Sequence, residues 1–86
     1  MEAFMNLKAI VEIQGCDFDT WRSFFDSYEH DRSHFVKNEG ITKHSDNLAE
    51  VTFEVTDLDG LTKLSQRKDI LDFEASNQIT VSVEAL

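Results

Sequence analysis

A run of aromatic residues at helical spacing, set between segments of alternating apolar and polar residues, is the feature that most limits the folds open to this chain. The run occupies residues 19–32. On a helix one stripe collects Phe18, Trp21, Phe25, Tyr28 and Phe35, with Phe24 at its margin. This pattern predicts a helix that continues to about Asn38, with Gly40 as its left-handed C-terminal cap.

Three segments show the period of two that is typical of half-buried strands, at residues 6–14, 48–56 and 78–84. Their inward residues are Leu7, Ala9, Val11 and Ile13, then Val51, Phe53 and Val55, then Ile79, Val81 and Val83. A short strand is expected at residues 41–45, followed by a hairpin turn at Asp46–Asn47.

Two helix starts are predicted from capping residues. Asp17 or Asp19 can cap the first helix, and Asp57 can cap a second one that carries Leu58, Leu61 and Leu64. Residues 65–73 are less regular, which indicates a broken turn or a short helix. The order strand, helix, strand, strand, helix, strand predicts an α+β fold, namely a ferredoxin-like βαββαβ sandwich. In it two helices cover one face of a four-stranded antiparallel sheet, and residues 1–86 form a single domain.

Composition excludes several classes of partner. The chain has 17 acidic and 8 basic residues and a formal net charge of −9. Nucleic acids and anionic membranes are bound through clustered Lys and Arg, so neither is an expected partner. No apolar stretch approaches the roughly 20 residues that cross a bilayer. Residues 1–15 lack the pattern of a signal peptide, and the lone Cys16 fits a reducing compartment, so a cytoplasmic location is expected.

Several stretches resemble the small dimeric α/β-barrel proteins, a ferredoxin-like superfamily that includes antibiotic-biosynthesis-type monooxygenases, stress-responsive barrel proteins and muconolactone-isomerase-like enzymes. The resemblance is carried by Asp17–Trp21, Phe25–Asp26, Glu29, Arg32, Gly40–Ile41 and Val51–Leu58. It implies a homodimer in which two sheets pack face to face, with ligand clefts between sheet and helices. The haem-degrading relatives combine an Asn, a Trp and a His. Here Trp21 lies on the first helix, so that site is not carried over and no cofactor is expected.

Candidate ligand-binding residues follow from the aromatic stripe. Arg32 falls within it, and a buried guanidinium needs a partner. It is either an anion clamp at a cleft or a structural group paired with a local acid. Trp21 and Tyr28 can each stack on a flat ligand and offer a hydrogen bond, or they are simply core residues.

The outward face of the sheet is expected to be unusually polar. It would combine Glu12, Glu54 and Glu84 with Thr52, Thr80, Ser82 and His44. Buried in a dimer, these groups would need hydrogen bonds and would have shifted pKa values, which suits acid–base chemistry. On a solvated face they are ordinary outward strand residues. His44 and Glu54 are therefore the second set of candidate ligand-binding residues.

Two further groups of residues are weaker candidates for a metal site or a reactive nucleophile. His30 and His34 lie one turn apart, with Asp26 one turn earlier, but this spacing is more typical of a solvated face than of a metal site, and no metal is expected. Asp17 beside Cys16 disfavours a reactive thiolate.

Two functions stay open from sequence. The first is binding of a small, partly apolar organic ligand in the sheet–helix cleft of a homodimer, with cofactor-free oxygenase- or isomerase-like chemistry as an extension. The second is a non-catalytic regulatory or protein-interaction module. An open cleft containing Tyr28, Arg32 and another polar group favours the first. A cleft filled by Phe25, Phe35 and Leu61 favours the second.

Overall fold

A computed structural model describes residues 5–86. Its elements are β1 (Met5–Ile13), α1 (Phe18–Ser27), α2 (Glu29–Arg32), β2 (Val36–Ser45), β3 (Leu48–Val55), α3 (Leu58–Ser65), α4 (Lys68–Ser76) and β4 (Ile79–Ala85). The fold is α+β, and its four strands form one open sheet in the order β2-β3-β1-β4 with every neighbouring pair antiparallel. The first four residues, which begin the stretch searched for a signal peptide, lie outside the described part.

The predicted alternation of the strands is confirmed by their burial. Leu7, Ala9, Val11 and Ile13 of β1 are all buried, and so are Ala49, Val51 and Val55 of β3. Phe18 and Trp21 of α1 pack in one apolar cluster with Val11. Leu61 of α3 packs against a second cluster that contains Leu7. The helices therefore cover the side of the sheet on which the buried apolar strand residues lie.

The expected helix to Asn38 is wrong. The first helical segment stops at Ser27, a short helix covers Glu29–Arg32, and the chain is a strand from Val36. Val36 is buried against Leu7 and Val55 and pairs with Val55 of β3. Strand pairing and burial therefore stabilise this segment as a strand instead of a continuation of the helix. The left-handed residue is Asn38, with φ 53°, rather than Gly40, and it lies at a bulge between Lys37 and Gly40.

Both predicted caps form. The Asp17 carboxylate accepts from the Thr20 backbone N–H at 2.8 Å, and the Asp57 carboxylate accepts from the Gly60 N–H at 3.0 Å. The irregular segment 65–73 resolves into the end of α3 and most of α4, so each helical crossover consists of two helices rather than one.

Candidate ligand cleft

A cavity of about 340 Å³ separates the sheet from the helices. Its walls are mostly apolar: Ala9, Val11 and Phe53 come from the sheet, and Phe25, Leu61 and Ile70 from the helices. The polar side chains in the wall are Tyr28, Arg32, Glu39, Thr62, Ser65 and Glu74. Apolar walls with a few polar groups are the usual composition of small-molecule sites.

The cleft continues along β4 because the helices cover only the beginning of that strand. Ile79 is 8% exposed, whereas Val81 and Val83 are 41% and 56% exposed. Both valines line the cavity, and their register opposite Val11 and Ala9 places them on the helix-covered side of the sheet. The prediction that these residues point inward is confirmed, but the expected burial is reached only by Ile79.

Tyr28 lies in the break between α1 and α2 and contributes to the cavity wall. Its ring makes edge contacts with Phe24 and Phe25, and the Arg32 and Arg67 guanidinium carbons lie 5.0 and 5.7 Å from its centre. Burial raises the pKa of Tyr28 to about 12, and this effect outweighs the opposing charge of Arg32. The residue is therefore a neutral phenol that can donate a hydrogen bond.

Arg32 also lines the cleft, but its charge is already paired. Nε donates to Glu39 Oε2 at 2.6 Å, Nη2 donates to Glu39 Oε1 at 2.9 Å, and Nη1 donates to the Phe25 carbonyl at 2.7 Å. The guanidinium carbon lies 3.5 Å from the centre of the Phe25 ring. Of the two alternatives that the sequence leaves open for Arg32, this geometry matches the structural group paired with a local acid, which is Glu39.

Glu74 is a cleft residue that sequence reasoning missed. It is half-buried, and burial raises the pKa of its carboxyl. The irregular pattern at residues 65–73 gave no reason to extend a helix to this position. The signal lay in the spacing, since Glu74 is one helical turn after the buried Ile70 and so shares its face.

Trp21 belongs to both the core and the cleft. It is 5% exposed, stacks on Phe25 with ring centres 4.9 Å apart, and packs at 5.6 Å against Phe18. The same side chain forms part of the cavity wall. Trp21, Tyr28 and Arg32 thus line the same cavity, although the break at Tyr28 interrupts the single helix that the aromatic stripe predicted.

The other two candidates, His44 and Glu54, lie on the opposite side of the sheet. We call this side the polar face; it is formed by Lys8, Ile10, Glu12, Lys37, Thr42, His44, Glu50, Thr52, Glu54, Thr80, Ser82 and Glu84. His44 Nε2 is 3.9 Å from a Glu50 oxygen, and Glu54 accepts from Asn38 Nδ2 at 3.2 Å. Tyr28, Arg32 and His44 therefore do not converge on one site.

Two other sequence features show no ligand arrangement. The rings of His30 and His34 are 5.2 Å apart, while Asp26 accepts from Arg22 Nε at 3.0 Å. Within residues 5–86 no cluster of three or more His, Cys, Asp or Glu side chains is placed to hold a metal ion. Burial, followed by the charge of Asp17, raises the pKa of Cys16, as expected for an unreactive thiol.

Comparison with protein-family models, with curated proteins and with solved structures finds no match to this chain. In the described range 5–86, none of the helices has the length and apolar character needed to cross a membrane.

Proposed function

We propose that this protein binds a small, partly apolar organic molecule in the cleft, as a cytoplasmic homodimer of ferredoxin-like βαββαβ protomers. The observation that carries the proposal is the open cavity of about 340 Å³ beside Trp21, Tyr28 and Arg32. Cavities of this size fall within the range that small-molecule sites occupy. Phe25 and Leu61 form walls of the cavity without filling it, and Glu39 and Glu74 supply further polar groups.

The strand order supports the ferredoxin-like arrangement. Two crossovers, one through α1 and α2 and one through α3 and α4, connect β1 to β2 and β3 to β4 on the same side of the sheet. Each joins two parallel strands that are separated by one antiparallel strand. Each helix pair takes the place of one helix of the simpler motif.

The charge pattern of the polar face supports the homodimer. Lys8 Nζ lies 3.7 Å from a carboxylate oxygen of Glu50 and 3.7 Å from one of Glu84, and Lys37 lies 3.8 Å from Glu54. Paired charges cost less to bury than isolated ones. Ile10, half-buried among them, supplies apolar area at the centre of this face.

For the oxygenase- or isomerase-like extension, the cleft needs a group that accepts a proton. Tyr28, with its pKa of about 12, holds its proton too tightly for this role near neutral pH. Glu74 suits it better, because burial has raised the pKa of a carboxyl that lines the cavity. Binding is nevertheless the function that the cleft supports most directly.

The test uses the single tryptophan of the chain as the reporter. Trp21 lines the cavity, so a panel of small aromatic and alicyclic compounds should change its fluorescence saturably. Val81→Phe places a larger side chain at the exposed end of the cleft and should abolish the change. Thr80→Phe is the matched control, because Thr80 is adjacent on β4 but belongs to the polar face.

A saturable signal in the wild type and in Thr80→Phe, lost in Val81→Phe, would support the cleft as the binding site. No response to any compound would contradict the proposal and leave the interaction module as the better explanation. A response that persists in Val81→Phe would place binding elsewhere.

A further inference from the structure

We propose that the cleft selects an uncharged molecule with a hydroxyl group on a flat apolar body and rejects organic anions. This inference rests on the proposed function, since it assigns a ligand class to the same cleft. Tyr28 and Glu74 are the specificity-determining residues.

The first argument is the charge of the cleft wall. Among the described residues that line the cavity, Arg32 is the one cationic side chain, and Glu39 occupies two of its N–H groups through a bidentate pair. The Phe25 carbonyl takes a third N–H group. Glu74 adds a carboxyl group, and the chain as a whole has a formal charge of −9. An anionic ligand would therefore meet a paired cation, a carboxyl group and an unfavourable long-range potential.

The second argument is the hydrogen bonding of the two remaining polar groups. Within residues 5–86, neither the Tyr28 hydroxyl nor the Glu74 carboxyl has a hydrogen-bond partner. Both residues line the same cavity. A phenol donates a hydrogen bond and a carboxylate accepts one, so together they match a hydroxyl group, which does both.

The third argument is the shape of the apolar wall. Trp21 and Phe25 stack with an angle of 22° between their ring planes, and Phe53 contributes from the sheet. Trp21 and the Arg32 guanidinium occupy the two faces of the Phe25 ring, so Phe25 can meet a guest only through its edge. Edge-to-face contacts of this kind favour a planar aromatic guest. A fused aromatic ring with one hydroxyl group combines the required body and polar group.

The experiment compares three probes that share a naphthalene body: 2-naphthol, 2-methylnaphthalene and 2-naphthoate. Their dissociation constants are measured at pH 7 from ¹⁵N–¹H chemical-shift changes, with Ala9 and Val83 amides as local reporters. We expect 2-naphthol to bind roughly 3- to 10-fold more tightly than 2-methylnaphthalene, the contribution of one or two hydrogen bonds. The 2-naphthoate anion should bind most weakly of the three.

Two variants assign the selectivity to residues. Tyr28→Phe should reduce the affinity for 2-naphthol to nearly that of 2-methylnaphthalene while leaving 2-methylnaphthalene unchanged. Glu74→Gln should improve the relative affinity for 2-naphthoate. Glu84→Gln, the same charge change on the polar face, should not alter the preference.

The outcomes separate the two proposals. If 2-naphthoate binds as well as 2-naphthol, or if Tyr28→Phe leaves the preference intact, the ligand class is wrong while cleft binding stands. If none of the three probes shifts the reporter amides, both the ligand class and the proposed function are contradicted.

Discussion

Arg32 is a guanidinium that the fold buries to 5% exposure and satisfies locally. Its partner Glu39 is seven residues away, on a strand rather than on the same helix, and both carboxylate oxygens are engaged. Removal of one member of a buried pair leaves the other charge without compensation, which is more costly than replacement of both.

We therefore expect Arg32→Met to lower the free energy of unfolding by on the order of 3 kcal/mol. The double variant Arg32→Met/Glu39→Leu should recover most of that loss, because no uncompensated charge remains. Urea denaturation of the two single variants and the double variant measures the coupling. Strictly additive losses would show that the pair contributes little beyond packing.

Tyr28 is the single tyrosine of the chain, so its ionisation can be followed by ultraviolet absorbance without interference from other phenols. In the folded protein we expect its midpoint at about pH 12, against 10.0 for the ordinary phenol. Because the folded-state pKa is raised, the stability linked to the neutral phenol is fully present below pH 10 and is lost as the pH rises toward 12. A midpoint near 10 in the folded protein would mean that Tyr28 is solvated.

At the residue scale, the sequence indicated some of the side chains that line the cleft and gave no indication of others. Trp21, Tyr28 and Arg32 fall within one helical stripe in the sequence. All three line the cavity, but the structure divides the stripe between α1, the break at Tyr28 and α2. Glu39 and Glu74 could not be predicted as cleft residues. Glu39 lies on β2, whose beginning replaces the end of a predicted helix, and Glu74 lies on α4, whose apolar pattern is weak. His44 and Glu54 were assigned to the correct face of the sheet, but that face is not the one that holds the cleft.

At the scale of elements, α3 approaches the connection between α2 and β2 closely because Gly60 has no side chain. A Cβ atom at this position would overlap the Phe35 ring, which packs against Leu7, Val36 and Val55. Alanine is intrinsically better than glycine in a helix by roughly 1 kcal/mol, so helix propensity and packing oppose each other here.

We expect packing to dominate, with Gly60→Ala destabilising the protein by about 1–3 kcal/mol. Gly40→Ala is the control, because among residues 5–86 its Cβ atom would meet only Thr52 Oγ1, at 3.1 Å, on an exposed strand. Thermal denaturation of both variants distinguishes the two positions. A stabilised Gly60→Ala protein would show that Phe35 moves aside at little cost.

The elements that could be predicted are those with a strict pattern. Alternation placed β1, β3 and β4 within one residue or so of their observed ends, and Asp17 and Asp57 located two helix starts. The boundary between α2 and β2 was missed because Phe35 continues the helical stripe in sequence while its neighbour Val36 pairs with Val55. Tertiary pairing of this kind is not encoded in local spacing.

At the scale of the whole molecule, association through the polar face should depend on Ile10. An arginine there would place an additional cation at the centre of that face, beside Lys8 and opposite Ser82 and Glu50. Sedimentation equilibrium should give twice the 9.9 kDa chain mass for the wild type and the single mass for Ile10→Arg.

The control for that experiment is Ser23→Arg, the same insertion of charge on the exposed side of α1, which should remain dimeric. A monomeric wild type would refute the dimer. A dimeric Ile10→Arg protein would place the interface on another surface.

The two outer strands of the sheet differ in regularity. β2 has breaks in register at Lys37–Gly40 and at Lys43–Ser45, whereas β4 pairs without interruption from Leu7 opposite Ala85 to Ile13 opposite Ile79. An interrupted edge is a poor template for a further strand. Extension of the sheet by another chain is therefore favoured at β4 over β2. Two chains paired through β4 would expose only their interrupted β2 strands at the outer edges of the joint sheet, which opposes its further growth.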